Sequence, residues 1–412
     1  MSTVAAVATV TGVAINAQSD GGVQGDDRSQ MDGNASEEGT APRALLLSGP
    51  FGLGHEMPAR SFRDYLERSG WQVRARDSMK LLGGGAGRAG LRVFDRLMTM
   101  PGVYDGLHFA GLRTGNRVAG AMDRASARRV VPALRAELDR EPADLVLSVF
   151  ATGALAAAGL RAEAPGRRTV VYCPDVAAHK LWVHEGTDLF LVSSPAAAAS
   201  VRRFRPRANI AIVPPPVRAA FYHAPARERA RASLEIPPEG RCVLLIDSGW
   251  GFAPLADAAA GLADASVHVL AVAGRNAGAE RCLRAVAAAK PGVTPFGFTD
   301  RVPELMAAAD LVVALPGAAT CAEARVVGRS LLLLDVMPGH GRDNLLHELE
   351  TGNAGVCGPA ASDIVASALA MLDDDSPPLP PVPRWEPAFA AALKRIGLEA
   401  EPRMEEACAP SS

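Results

Sequence analysis

The stretch Ala44-Leu45-Leu46-Leu47-Ser48-Gly49-Pro50-Phe51-Gly52-Leu53-Gly54-His55 decides the fold. Four consecutive apolar residues without alternation mark a short strand buried on both faces, as in a parallel sheet covered by helices. The glycines that follow let the backbone turn tightly and come close to a ligand, and the helix expected over 57–69 begins with unpaired N–H groups. Strand, glycine turn and helix make the first half of a βαβ unit. The spacing is GxGH, not the GxGxxG of dinucleotide-binding turns, and no acidic residue ends an evident second strand at the expected distance.

Outward from that stretch the alternation continues. Leu145-Val146-Leu147, Thr169-Val170-Val171-Tyr172, Leu189-Phe190-Leu191-Val192 and Ile210-Ala211-Ile212-Val213 read as further strands. Pro214-Pro215-Pro216 and the charged stretch 227–231 interrupt the pattern. A second series starts at Val243-Leu244-Leu245-Ile246 and runs through Val267-His268-Val269-Leu270, Leu311-Val312-Val313 and 331–334. The expectation is an α/β chain of two Rossmann-like domains, 43–215 and 216–384, whose parallel sheets face an interdomain cleft. The proline-rich segment 376–383 cannot hold a regular helix. A helix within 385–398 must then bury Trp385, Phe389 and Leu393, which it does by crossing back to the first domain. Residues 18–42 are Gly, Asp, Ser and Glu with almost nothing apolar, so 1–42 reads as a disordered tail and 399–412 as a flexible one.

Composition bounds the function. Of 412 residues, 48% are hydrophobic and 21% charged, enough to fill two cores. The formal net charge of −2 gives no global attraction to nucleic acid, which is excluded as a partner. Cys173, Cys242, Cys282, Cys321, Cys357 and Cys408 are scattered without a CxxC pair, as in a reducing cytoplasm. No apolar run reaches the ~20 residues that span a bilayer. Residues 4–17 lack the basic start of a secretory signal.

The polar, glycine-rich segments fall at strand ends, where open α/β sheets bind ligands. His55 at the first strand end suits proton transfer, with a plain helix-capping role as the alternative. Asp175 begins a segment with His179, Trp182 and His184 that could orient His55 or wall a sugar site; surface histidines on a turn are the bland reading. Asp247-Ser248-Gly249-Trp250-Gly251 is a candidate diphosphate cradle. Arg275, in Gly274-Arg275-Asn276, could neutralise a leaving diphosphate. In Pro316-Gly317-Ala318-Ala319-Thr320-Cys321-Ala322-Glu323, Thr320 and Glu323 have the spacing of a capping box, while Glu323 could instead accept ribose hydroxyls. Pro338-Gly339-His340-Gly341-Arg342-Asp343-Asn344 is a further polar turn.

From about residue 43 to 358 the chain resembles the monogalactosyldiacylglycerol-synthase-like glycosyltransferases, relatives of the N-acetylglucosaminyltransferase that completes lipid II. The resemblance rests on SGPFGLGH (48–55), on Asp175 through Trp182-Val183, on Gly249-Trp250-Gly251, on Gly274-Arg275-Asn276 and on Phe296-Gly297-Phe298-Thr299-Asp300-Arg301-Val302-Pro303-Glu304-Leu305-Met306. Pro316-Gly317 with Thr320 and Glu323, and Arg218 in Pro216-Val217-Arg218, complete it. It implies a GT-B architecture and inverting transfer of a hexose or N-acetylhexosamine from a UDP-sugar to a lipid-linked or lipid-like acceptor. His55, with Asp175, would be the catalytic base. Gly52, Gly54, His179 and Trp182 would meet the acceptor. Arg218, Ser248, Gly249, Trp250, Gly251, Arg275, Phe298, Pro316, Gly317, Thr320, Glu323, His340 and Asn344 would bind the nucleotide sugar. No metal and no cofactor besides the UDP-sugar are implied. The chain departs from the family pattern at Leu315-Pro316-Gly317-Ala318, where Lys-Pro-Gly-Gly is usual, at His340-Gly341 in place of Gln-Glu, and at Asp247-Ser248 in place of two glycines. Donor identity is therefore not inherited.

The segment 83–129 mixes Leu91, Val93, Phe94, Tyr104 and Phe109 with Arg88, Arg92, Arg96, Arg113 and Arg117. Such a mixture suits docking on the anionic inner leaflet of the cell membrane, and a helical cap with solvated arginines is the equal alternative. Two other functions fit the same plan: a non-catalytic sugar-nucleotide-binding protein, and a sugar-nucleotide 2-epimerase.

Overall fold

The computed structural model describes residues 41–49, 53–98, 100–247, 254–352, 354–374 and 382–401. Most of both predicted tails, most of the proline-rich linker, Gly52 and Ser248, Gly249, Trp250 and Gly251 lie outside them.

The first sheet consists of β1 (Arg43–Ser48), β2 (Gln72–Asp77), β3 (Leu145–Ser148), β4 (Arg168–Cys173), β5 (Leu189–Val192) and β6 (Ile210–Ile212). All pairs are parallel, in the order β2-β1-β3-β4-β5-β6. Leu45, Leu46 and Leu47 are wholly buried because helices cover both faces. The second sheet holds β7 (Cys242–Ile246), β8 (His268–Val272), β9 (Val293–Phe296), β10 (Leu311–Ala314), β11 (Ser330–Leu334) and β12 (Gly355–Cys357). Its order is β12-β11-β10-β7-β8-β9, again all parallel. Strand order reverses between β1 and β3 in one sheet and between β7 and β10 in the other. These reversals open the crevices at strand ends where such sheets take ligands.

Three local expectations need correction. A second strand does end in an acid: β2 terminates at Asp77, whose carboxylate accepts from the Met79 N–H at 2.9 Å and caps the turn Ser78–Leu82. The strand escapes sequence reading because it is an edge. Val73 and Ala75 pack on the core, while Arg74 and Arg76 face out and pair with Glu141 and Glu137. The helix after β1 starts earlier than expected, at Leu53. The charged stretch 227–231 is part of a helix, Arg227–Ser233. Arg231 within it is buried, donating to the carbonyls of Ala308, Pro238 and Gly240 and to Asp310.

The chain ends by returning to the first sheet. The helix Glu386–Lys394 places Trp385, Phe389 and Leu393 in the core around Phe62, Tyr65 and Tyr172. Trp385 Nε1–H donates to the Val217 carbonyl at 2.9 Å, and Tyr65 O–H to that of Ala400 at 2.6 Å.

Candidate functional site

One cavity of about 490 Å³ runs between the two sheets. Among the described candidates, Gly54, His55, Asp175, His179, Trp182, Arg218, Phe298, Pro316, Gly317, Thr320, Glu323, His340 and Asn344 all line it. Arg275 stands outside its wall, where Gly274 takes its place. Apolar side chains of the segment 79–122, including Met79, Phe94, Leu97 and Leu107, close the first-domain side.

His55 sits in the first turn of helix Leu53–Arg68, against the end of β3. Its Nδ1–H donates to the Val149 carbonyl at 2.9 Å, and the ring meets Phe150 edge-on at 5.0 Å. A carbonyl accepts only from N–H, so the bond fixes the tautomer and leaves Nε2 as the basic atom. Burial lowers the His55 pKa, with the charge of Asp175 acting against it, so the ring is neutral at neutral pH.

Asp175 follows β4. Burial alone would raise its pKa, yet His340, His55, a hydrogen bond from Asn344 and His179 together hold it below the usual range. Asn344, from helix His340–Glu350 of the second sheet's domain, has both ends of its amide engaged. Nδ2 donates to Asp175 Oδ1 at 3.1 Å, and Oδ1 accepts from the Val176 N–H at 3.0 Å.

Across the cleft, β10 delivers Pro316 and Gly317 to the start of helix Ala318–Val326. Gly317, not Thr320, is the N-cap, and no side chain caps the helix, so the predicted capping box does not form. Glu323 lies one turn further on. It is buried, and burial pushes its carboxyl up to about 7 despite Arg218, whose guanidinium stands 3.8 Å away. Arg218 lies over the Phe221 ring, and its buried Nε has no hydrogen-bond partner among the described residues. Arg275, expected free to meet phosphate, makes a two-pronged pair with Glu56 at 3.0 and 3.2 Å and lies 4.8 Å over the half-exposed Phe298 ring.

A second set of contacts joins the domains. Of the residues involved, sequence reasoning placed only His340 in the site and saw Gly339, Arg342 and Asp343 merely as part of a polar turn. Asp105 accepts from the Gly339 N–H at 2.6 Å and pairs with Arg342. Tyr104 O–H meets His340 Nδ1 at 3.3 Å. His108 and Arg113 share Asp343, at 3.1 and 2.6 Å. His108 and its neighbours form a π-helical turn, Leu107–Leu112, a local irregularity that often marks functional positions. Gly339 has φ 63°, and a Cβ there would come within 2.4 Å of the Tyr104 ring. Arg113 and Tyr104 are therefore engaged with the second domain, whichever of the two readings of 83–129, membrane docking or helical cap, applies to the rest of the segment. Val93, Met100 and Val103 remain exposed there, beside exposed Arg88 and Arg92. His179 is pressed down to about 3 by burial and then by the charge of His108. No helix among the described residues is long and apolar enough to cross a membrane.

Comparison with known proteins agrees with this architecture. Residues 253–355 match the glycosyltransferase family 28 C-terminal domain. The processive diacylglycerol beta-glucosyltransferase of Bacillus licheniformis is 24% identical over 207 residues, 49% of this chain and 53% of that protein. A UDP-N-acetylglucosamine–N-acetylmuramyl-(pentapeptide) pyrophosphoryl-undecaprenol N-acetylglucosamine transferase of Mycobacterium bovis is 34% identical over 197 residues, 45% of this chain and 46% of its own. The chain thus spans about half the length of the curated relatives it matches. The crystal structure of Acinetobacter baumannii MurG superposes with a TM-score of 0.51 over 81% of this chain and 91% of its own, at 12% identity, a likeness of fold. The chain has the GT-B fold, matches the glycosyltransferase family 28 C-terminal domain over residues 253–355, and resembles the diacylglycerol- and undecaprenol-directed glycosyltransferases.

Proposed function

We propose that this chain is an inverting glycosyltransferase. In this reading it moves a hexose or N-acetylhexosamine from a UDP-sugar to the hydroxyl of a lipid-linked or lipid-like acceptor, at the cytoplasmic face of the membrane and without metal or cofactor. The observation that carries this reading is His55, a neutral imidazole with Nδ1 tied to Val149. It lines one cavity with Glu323 and Arg218 of the opposite sheet's domain.

The acceptor hydroxyl gives its proton to His55 Nε2 as its oxygen bonds to the anomeric carbon. The bond from that carbon to the β-phosphate oxygen breaks, and its electron pair leaves with UDP. Asp175 steadies the imidazolium that forms. The N-terminus of helix Ala318–Val326 and Arg218 offset charge on the leaving diphosphate. Arg275 joins them once Glu56 releases it. Glu323 accepts the ribose hydroxyls.

A non-catalytic nucleotide-sugar binder is the second reading. It is favoured by one observation: Gly339 N–H and His340, at the head of the helix next to the proposed sugar site, already contact Asp105 and Tyr104.

Calorimetric titration of UDP into the wild type and Glu323→Ala tests the donor site. Micromolar binding lost in the variant is expected, followed by turnover of UDP-sugars with lipid acceptors. Absence of binding by any nucleoside diphosphate sinks both readings, and UDP binding without turnover leaves the second.

A further inference from the structure

Asp123 has no part in the chemistry above. It stands on the helix Arg117–Arg140 and lines the cavity, as do Met122 and Ser126 of the same helix and, elsewhere in the wall, Leu82, Leu112 and Leu155. It is half-buried and, among the described residues, makes no hydrogen bond or ion pair. Lys180 is the first of the cations acting on it, yet that ammonium donates to the Val183 carbonyl at 3.0 Å. Burial pushes the Asp123 carboxyl up to about 6, against the pull of Lys180 and Arg124.

A half-buried carboxylate without a donor is costly, and a ligand that brings an N–H or O–H relieves that cost. An acceptor with plain hydrocarbon chains would leave the cost in place, and one with a second anionic group would add repulsion. Resting on the reading of this cavity as the acceptor chamber, we propose that Asp123 selects the acceptor. It takes an amphiphile whose apolar body carries, besides the reacting hydroxyl, a second hydrogen-bond-donating group, an ammonium or an alcohol.

The test uses the full chain and three ten-carbon probes below their micellar concentrations: decylammonium, 1-decanol and decanoate, titrated calorimetrically at pH 8. The wild type is expected to bind decylammonium at least about tenfold more tightly than decanoate, as a charge-assisted contact requires. A margin for 1-decanol equal to that for decylammonium identifies the alcohol as the group selected. Asp123→Asn is expected to bring decylammonium and decanoate within about threefold of each other. UDP titrated into the same preparations reports folding and the donor site separately. If UDP binds while the wild type shows no preference for decylammonium or 1-decanol over decanoate, or binds no probe, the inference falls and the transferase reading stands. Preference retained in Asp123→Asn overturns it equally. Loss of UDP binding from the wild type marks failure of the transferase reading itself.

Discussion

Asn344 and Asp175, 169 residues apart, are joined across the cleft by a hydrogen bond of 3.1 Å, and the other end of the same amide holds Val176. Chemistry fixes the orientation of that amide, since a carboxylate needs the NH₂ and a backbone N–H needs the oxygen. The acid beside the proposed base is thus positioned by the opposite domain.

Removing that clamp leaves Asp175 short of a donor and Val176 N–H without its acceptor. Hydrogen bonds to charged groups contribute about 1.5–3 kcal/mol, so Asn344→Ala is expected to lower kcat by about 10- to 100-fold. UDP affinity in the same variant should stay within about threefold, because both ends of the amide are taken up by Asp175 and Val176. A steady-state assay beside UDP calorimetry separates the two, and a loss confined to UDP binding would overturn the positioning role.

His55→Ala removes a proton acceptor without altering the second sheet. Turnover is expected to fall by about 100- to 10,000-fold, the usual range for a general base, with UDP binding unchanged. Single-turnover rates against pH provide the check. A variant with more than a tenth of wild-type activity would place the base elsewhere.

Glu323, at about 7, is half-ionised near neutrality. Ribose hydroxyls donate better to the carboxylate than to the carboxylic acid, so binding favours ionisation and releases a proton. UDP affinity should therefore rise as pH increases through 7, by at most about tenfold per unit. Ionisation of the UDP phosphate near about pH 6 affects every variant alike. Glu323→Gln should keep only that part of the dependence. Parallel curves for the two proteins between pH 6 and 8 would mean that Glu323 does not touch the nucleotide.

Trp385 fills the first core and donates to Val217. Trp385→Ala is expected to cost about 3–5 kcal/mol, read as a lower urea midpoint. A shift below about 1 kcal/mol would show that the returning helix is dispensable.

Legibility followed burial. Runs such as Leu45-Leu46-Leu47 and Val312-Val313 announce strands because both faces are covered and nothing polar is tolerated. β2 stayed hidden because its outer face carries Arg74 and Arg76, which read as solvated charge until Glu141 and Glu137 come into view. In the site, turn chemistry singled out the loops around His55, Asp175 and Pro316. Tyr104 and His108 could not be found that way, since each matters only through a partner more than two hundred residues distant. Asp123 has no local signature at all. Its significance arises from the cavity that folding builds around it.

The returning helix also imposes an order of assembly during translation. Phe62 and Tyr65 emerge from the ribosome early, but Trp385 and Phe389, which cover them, emerge only after the whole second sheet. The second domain can therefore complete its core while the first still waits for its last aromatic pieces. Nascent chains still on the ribosome would expose that aromatic surface to chaperones, whereas released chains, with Trp385 and Phe389 packed on Phe62 and Tyr65, would not.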